Sequence, residues 1–492
     1  MTVASHCRTV FPAMLVLLAA CVPLRAPLGT ARDIAGDAAV VERMAAAAAS
    51  ERAAASDLPA APGIEDYVTY AALHSPELRA RFEEWRAALE RVPQAKALPE
   101  PRLSYAYYVE QVETRAGPQR HRLSLMQMFP WFGTLRLRGD VARAGARAAY
   151  ERLEGARLAL AQRVKDAYYE LYYLSRAVAI TKENVELLRY VESVARSLYR
   201  VSRGEYADVL RTQVELDKLR DRLATLEDAR RPVVARLNAA LNRPPDAPVP
   251  WPTVIPHQRL AEAAPLLAWM REANPELKAI EAEAARHGAA VELARKDCYP
   301  DFGLGVTYIE TGHAAVHNSD SGKDPVIVEL AVELPIWRGK YAAAEREARA
   351  RLRGARHSLA ARRNALTAQI ELALFKLRDA DRKITLYGEA LLPRAEQGLK
   401  ATQTAYKAAK ASLTDLIDAE RVLLAFRLAR ARALADHAQR LAELEMLVGR
   451  ALPLQPVKPP KTKKTEAEQP EKPTSKTGDG PDAKGKESKD ED

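Results

Sequence analysis

The sequence predicts a mainly α fold with a small β part: one unit present in two copies, each with very long helices and a pair of short strands. Three observations predict it. Motifs recur in the same order in the two halves, a heptad seam runs through a long proline-free stretch, and short segments of two-residue alternation interrupt the helical pattern.

The repeat can be read residue by residue. Ser75-Pro76-Glu77-Leu78 returns as Asn274-Pro275-Glu276-Leu277, and Leu98-Pro99-Glu100-Pro101-Arg102-Leu103 as Tyr299-Pro300-Asp301-Phe302-Gly303-Leu304. The run from Leu123 to Trp131 is echoed from Val328 to Trp337, and Tyr199, Asp208, Leu210 and Leu216 match Tyr406, Asp415, Ile417 and Leu423 at one fixed offset. Each unit is about 200 residues long.

The opening helix of each unit is expected near residues 64–96 and 262–297. The long helix follows the strand pair. No proline occurs from Thr134 to Arg203, and Leu160, Val164, Ala167, Leu171, Leu174, Val178, Thr181, Val185 and Leu188 step by fours and threes. Leu366, Ile370, Ala373, Leu377, Ala380, Ile384, Tyr387 and Leu391 repeat the spacing, with Pro393 expected to bend or break the second helix. At 1.5 Å per residue each helix reaches roughly 100 Å, which demands an elongated coiled-coil body. A short turn (Ser202 to Tyr206, Ala409 to Leu413) then precedes a returning helix.

Strands are expected where the period changes to two. Leu103, Tyr105, Tyr107 and Val109 alternate with Ser104, Ala106, Tyr108 and Glu110, and Leu123 and Leu125 with Ser124 and Met126. Phe302, Leu304, Val306 and Tyr308 alternate with Gly303, Gly305 and Thr307, and Val326, Val328, Leu330, Val332 and Leu334 with Ile327, Glu329, Ala331 and Glu333. One face is apolar, the other small or acidic. A sheet with one face on a core has this pattern, and so has an outer-membrane barrel with strands of nine to eleven residues and aromatic ends, here Trp131, Phe132 and Trp337. Four strands cannot close a membrane barrel. Two copies would give a barrel filled by side chains, whereas three give twelve strands and a lumen.

Composition removes other classes. The 492 residues hold 3 Cys, too few for a disulfide scaffold, and 28% charged against 48% hydrophobic residues is too apolar for general disorder. The 75 Lys+Arg exceed the 65 Asp+Glu diffusely, without a basic stripe, so no nucleic-acid partner is expected. Beyond the N-terminus no uncharged apolar run is long enough for a transmembrane helix.

The termini read as export and tether segments. Residues 1–20 form a signal peptide with a short apolar core from Val10 to Ala20. Leu18-Ala19-Ala20-Cys21 resembles a bacterial lipobox, which would acylate Cys21; a cut after small residues with Cys21 incidental fits the same segment. Residues 21–63 read as an N-terminal linker, 64–250 and 251–455 as the two repeats, and 456–492 as a disordered tail with nine Lys and nine Asp+Glu.

The order helix, strand pair, long helix, tip turn and return helix resembles the TolC-type outer-membrane efflux channel family over roughly residues 64–452. Met128-Phe129-Pro130-Trp131-Phe132-Gly133, followed by Leu135 to Gly139 and preceded by Val92-Pro93-Gln94-Ala95, is similar to the branch serving heavy-metal cation pumps. The resemblance implies a homotrimer in outer-membrane lipid, a twelve-strand barrel, and a periplasmic helical tunnel. It also implies docking through the tip onto a periplasmic adaptor protein and an inner-membrane pump. It further implies a gate. Thr414-Asp415-Leu416-Ile417-Asp418 resembles the segment supplying carboxylate rings at the constriction, and Asp208 and Tyr406 match a pair that holds the closed state. Asp415 and Asp418 lie three apart, nearly on one helix face, although an acidic first turn is also favoured by the helix dipole alone. Ser202, Arg203, Gly204, Ala409 and Lys410 are the candidate adaptor-docking residues, with Ser202 and Ala409 standing where the family usually has glycine.

No enzyme chemistry is expected: the nine His are scattered and no nucleophile motif, phosphate loop or metal-spaced Cys pair occurs. No cofactor and no metal are assigned. His313, His317, Asp320 and Asp324 form the one local cluster of metal-ligating types, in a loop whose Ser, Gly and Asp are ordinary turn formers. The expected role is a passive exit duct for small solutes, such as metal cations or drugs, driven by the pump. A type I protein secretion duct shares the fold, and a lipid-tethered periplasmic coiled coil or adaptor would share the helices without the strands.

Overall fold

The structure, a computed structural model, describes residues 58–456 apart from 256, 262–264, 317 and 409. The signal peptide, Cys21, most of the linker, His317, Ala409 and the charged tail beyond Pro456 lie outside the described residues. In chain order the elements are α1 (Ile64–His74), α2 (Pro76–Lys96), β1 (Arg102–Tyr107), β2 (Gln119–Phe129), α3 (Thr134–Arg200), α4 (Tyr206–Asp228) and α5 (Arg230–Ala240). They continue as β3 (Gln258–Leu260), α6 (Leu266–Ala273), α7 (Pro275–Lys296), β4 (Asp301–Thr311), β5 (Val326–Glu333) and α8 (Arg338–Thr385). A wide π-type turn (Leu386–Leu391), α9 (Leu392–Lys407), α10 (Leu413–Val448) and β6 (Leu454–Pro456) complete the chain.

Proline decides where the helices stop. The single opening helix expected in each half is two helices, because Pro76 and Pro275 bring no N–H and a polar residue caps the new start. Ser75 Oγ accepts from the Leu78 N–H at 3.3 Å, and Asn274 Oδ1 from the Glu276 and Leu277 N–H groups at 2.9 and 3.0 Å. The first return helix likewise breaks between α4 and α5, where the ring of Pro232 would press on the carbonyl of Asp228.

The long helix α3 holds 67 residues, or about 100 Å. All nine seam positions named above are buried. Leu160, Val164, Ala167 and Leu171 pack with Tyr67 and Ala71 of α1, Leu237 of α5, and Ala435 and Ala438 of α10. Leu366, Ile370, Ala373 and Leu377 of α8 pack with Leu266, Met270, Leu277, Leu441 and Leu444. Each fully buried Leu or Ile stabilises by about 1.5–3 kcal/mol relative to exposure, so this apolar seam, rather than helix propensity, holds the body together.

Pro393 acts through register. It leaves the Glu389 carbonyl without its donor, and the preceding turn widens. A wide turn adds one residue to the helical count. The seam accordingly moves from the expected Leu391 to Leu392 and continues through Leu399 and Tyr406, while Tyr387 and Leu391 are only half-buried.

The strands form one antiparallel sheet in the order β1-β2-β4-β5, so the hairpins of the two halves join at β2 and β4. β2 and β4 have eleven residues, within the nine to eleven expected, but β1 has six and β5 eight. Val109 and Leu334 fall outside. β1 and β5 are the edges, bonded on one side only, and a ladder with one partner ends sooner. A second, two-stranded sheet pairs β3 with β6 and was not expected. Among the described residues no helix is long and apolar enough to cross a membrane.

Candidate functional site

The four-stranded sheet puts its apolar side chains where nothing covers them. Leu103, Leu125, Val306 and Val328 form one cross-strand row and are 55, 51, 50 and 78% exposed. The next row, Gln127, Leu304 and Leu330, continues the same face. The opposite face is mixed, with Met126, Met128, Ile309 and Ile327 beside small residues and a polar cluster. Ser124 Oγ lies 2.8 Å from Thr307 Oγ1, Thr307 donates to Glu329 Oε1 at 2.8 Å, and Arg122 stands 3.7 Å from the same carboxylate. The outer edges of β1 and β5 have no strand partner among the described residues. An eleven-residue strand at about 3.3 Å per residue, tilted by about 40°, rises about 27 Å, close to the apolar height of an outer-membrane barrel.

Aromatic side chains bound this band at both ends. At the helical end Trp131 stacks on Tyr299 and Phe302 with ring centroids 5.0 and 5.6 Å apart, its backbone N–H donates to Asp301 Oδ1 at 2.8 Å, and Phe132 and Trp337 are exposed. At the far end lie Tyr105 and Tyr107, with the Tyr105 hydroxyl 2.7 Å from His121 Nδ1. The polar loop beyond is tied to β4 and to the β1–β2 loop: Asp324 accepts from the Tyr308 hydroxyl and Thr311 N–H, and Asp320 pairs with Lys323 and Arg115. Its carboxylates are thus occupied by protein partners.

The opposite pole of the molecule is the tip between α3 and α4. Arg203 N–H donates to Leu198 O at 2.9 Å and Ser202 N–H to Tyr199 O at 3.0 Å, with Ser202 at φ +57°. This is a Schellman ending in which a serine takes the left-handed position. Gly204 serves a different need: a Cβ there would stand 3.1 Å from Leu198 Cβ and 3.3 Å from Tyr199 N. The second tip closes over the same reach, Lys410 N–H donating to Ala405 O at 2.8 Å.

The candidate gate residues lie just behind the tips. Asp415 Oδ2 accepts from the Ser412 N–H at 3.1 Å and the Ser412 hydroxyl at 2.7 Å, while Ser412 Oγ accepts from the Asp415 N–H at 3.1 Å. This capping box starts α10, and the Ser412 hydroxyl and N–H hold the Asp415 carboxyl below the usual range. Asp418 is exposed on the same side and pairs with Arg421 at 3.2 Å; Arg421 also bonds Glu215 of α4 at 2.6 Å. Tyr406 is buried beside Leu399, Leu413 and Leu416, and burial, with Asp208 close enough to add, raises its hydroxyl pKa. Asp208 is itself raised by burial, against Arg211 at 3.6 Å. The structure therefore brings Asp208 and Tyr406 together, but among the described residues no hydrogen bond joins their side chains.

One residue here was missed. Glu420 is 2% exposed, its Oε1 has no hydrogen-bond partner, and burial followed by the charge of Glu215 pushes its pKa to about 8. The signal was present as a carboxylate on the apolar stripe Leu413, Leu416, Ile417, Leu423 and Leu424. A second missed group is dispersed in sequence: His257, Asp381 and His437, whose ligating atoms all lie within 4.8 Å of one another.

Comparison with known proteins bears on this geometry. A family model described as outer membrane efflux protein matches residues 68–243 and 266–450. The cobalt-zinc-cadmium resistance protein CzcC of Cupriavidus metallidurans is 22% identical over 407 residues, spanning 79% of this chain and 90% of that protein. Nodulation protein T of Rhizobium leguminosarum bv. trifolii is 22% identical over 384 residues, 74% of this chain and 80% of its own length. The crystal structure of the outer membrane protein VceC from Vibrio cholerae superposes with a TM-score of 0.67 at 19% identity, covering 79% of this chain and 96% of VceC.

Proposed function

Because the chain belongs to the outer membrane efflux protein family, we propose that three copies pool their sheets into a twelve-stranded barrel in the outer membrane, standing on a periplasmic tunnel of their long helices. The observation that carries this reading is the sheet: a bare apolar face, a reverse face with a polar Ser124–Thr307–Glu329 cluster, and two open edges. Water penalises the bare apolar face, and the open edges present unpaired backbone groups as a template for another strand. Edge-to-edge pairing with two neighbouring copies satisfies the backbone groups of β1 and β5, lipid takes the apolar face, and the Ser124–Thr307–Glu329 face lines the lumen.

The duct performs no bond chemistry. It offers a water-filled exit, and the free energy comes from an inner-membrane pump reached through a periplasmic adaptor. The tip residues Ser202, Arg203, Gly204 and Lys410, with Ala409, form the docking face. Asp415 and Asp418, repeated threefold, place six carboxylates around the narrow end; their mutual repulsion favours opening and attracts cations. Asp208 and Tyr406 hold neighbouring helix pairs together in the closed state. Small solutes are the cargo, and divalent metal cations are the favoured class because a relative similar over most of its length is a cobalt-zinc-cadmium resistance protein. The polypeptide is exported, with Cys21 as the lipid anchor.

The test is deletion of the gene, followed by growth on a panel of metals, dyes and antibiotics and by inspection of outer-membrane fractions for heat-modifiable trimers. Increased sensitivity to metals with trimers present supports the reading. Unchanged sensitivity together with loss of a secreted protein assigns the duct to protein export instead.

A further inference from the structure

The structure assigns a binding site for a divalent transition-metal ion to His257, Asp381 and His437, outside the proposed gate and independent of what the duct carries. The three residues come from three different elements. His257 lies just before β3, Asp381 on α8 and His437 on α10. Both imidazole Nε2 atoms converge on one carboxylate oxygen: His257 Nε2 lies 3.4 Å and His437 Nε2 3.2 Å from Asp381 Oδ1.

One fact separates this cluster from an ordinary hydrogen-bonded trio. His437 is 2% exposed, and its Nε2, although 3.2 Å from the carboxylate, is off the line a hydrogen bond requires and has no hydrogen-bond partner. An unpaired buried ring nitrogen costs free energy that a metal bond would recover. The spacing, which also suits the hydrogen bond between His257 Nε2 and Asp381 Oδ1, admits a metal ion. Zinc bonds to His nitrogen and carboxylate oxygen are about 2.0–2.2 Å, which in tetrahedral geometry separates adjacent ligand atoms by about 3.3 Å. The observed 3.2 and 3.4 Å bracket that value.

Two imidazoles and one carboxylate suit zinc, cobalt or nickel rather than magnesium or calcium, and three protein ligands leave a fourth position for water. Entry is open. Asp381 borders a surface depression lined by Arg259, Arg382, Thr385, Leu386 and Glu389, and Arg259 Nε at 3.8 Å from Asp381 Oδ1 is too far to lock it. A bound ion would fasten the segment leading into the β3–β6 sheet to α8 and α10, directly beside the wide turn at Leu386–Leu391.

The experiment uses the full-length protein, purified in detergent with a histidine-free tag and stripped with chelator, titrated with Co2+ alone by visible absorption and with Zn2+ alone by calorimetry. One ion per protomer, with the intense d–d bands of a four-coordinate site, is expected. Asp381→Asn and His257→Gln should each weaken binding at least about tenfold. His257 stands outside the helices and is half-buried, so His257→Gln keeps the test valid if a core substitution such as His437→Gln fails to fold. Absence of stoichiometric binding by the wild-type protein, or equal binding by both variants, overturns the assignment. Either result leaves the efflux reading standing, which fails instead on the deletion phenotype.

Discussion

Replacing Glu420 by Gln tests the electrostatics behind the tip. In the folded protein Glu420 has a pKa of about 8, against 4.5 for the free side chain, because burial and then Glu215 disfavour its charge. An acid whose folded pKa is raised contributes its full stability below the unfolded value and loses it as pH rises towards the folded one. The window is therefore pH 4.5 to about 8. The gap between those two values corresponds to about 5 kcal/mol per protomer, of which about 3 kcal/mol is already lost at pH 7. Glu420→Gln keeps the shape and cannot ionise. Thermal unfolding of the detergent-purified protein from pH 5 to 9 should show wild type falling steadily, and the variant overtaking it by several degrees above neutrality. Parallel curves for the two proteins across this range would refute the reasoning, since a purely steric effect has no pH dependence.

Other perturbations probe the remaining elements. Ser202→Gly should be neutral or stabilising by up to about 1 kcal/mol, and Ser202→Val destabilising by about 1–2 kcal/mol, because only the left-handed φ distinguishes them; thermal unfolding reads both. Leu171→Ala, at a fully buried seam position, should cost about 2–5 kcal/mol in the same assay. Leu125→Arg on the bare face of the sheet should cost about 2–4 kcal/mol of insertion free energy and remove trimers from outer-membrane fractions, whereas Ser124→Ala on the reverse face should leave them in place. Asp418→Asn should lower cation preference in planar-bilayer conductance without altering assembly, as its partner Arg421 keeps Glu215.

Much of the fold was legible because it is periodic. The α3 seam from Leu160 to Leu188 needed only the step of fours and threes, and every position it named is buried. The strand alternation was equally direct: Leu103, Leu125, Val306 and Val328 share a face by register. Local chemistry was harder to weigh. The breaks at Ser75 and Asn274 were written in the Ser-Pro and Asn-Pro pairs, yet a continuous apolar pattern hid them. The short β1 and β5 follow from edge position, which no residue in them encodes.

The candidate sites divide along the same line. Asp415 and Asp418 could be placed on one helix side from spacing, and Glu420 was readable as a misplaced charge. The pairing of Asp208 with Tyr406 came only from the family resemblance, and the proximity of His257 to Asp381 and His437 could not be read, because the three lie on different elements far apart in the chain.

What the sequence determined by itself is everything that repeats along one helix or one strand: the duplication, the long seams, the two-sided strands and the family they mark. What only the tertiary structure decided is where that period slips and what meets across elements. The wide turn before Pro393 moves the buried seam by one residue, to Leu392, and the packing of α8 against α10 brings Asp381 to His437. Periodicity is a property of neighbours along the chain, whereas register between helices is set by side chains packing from both sides at once.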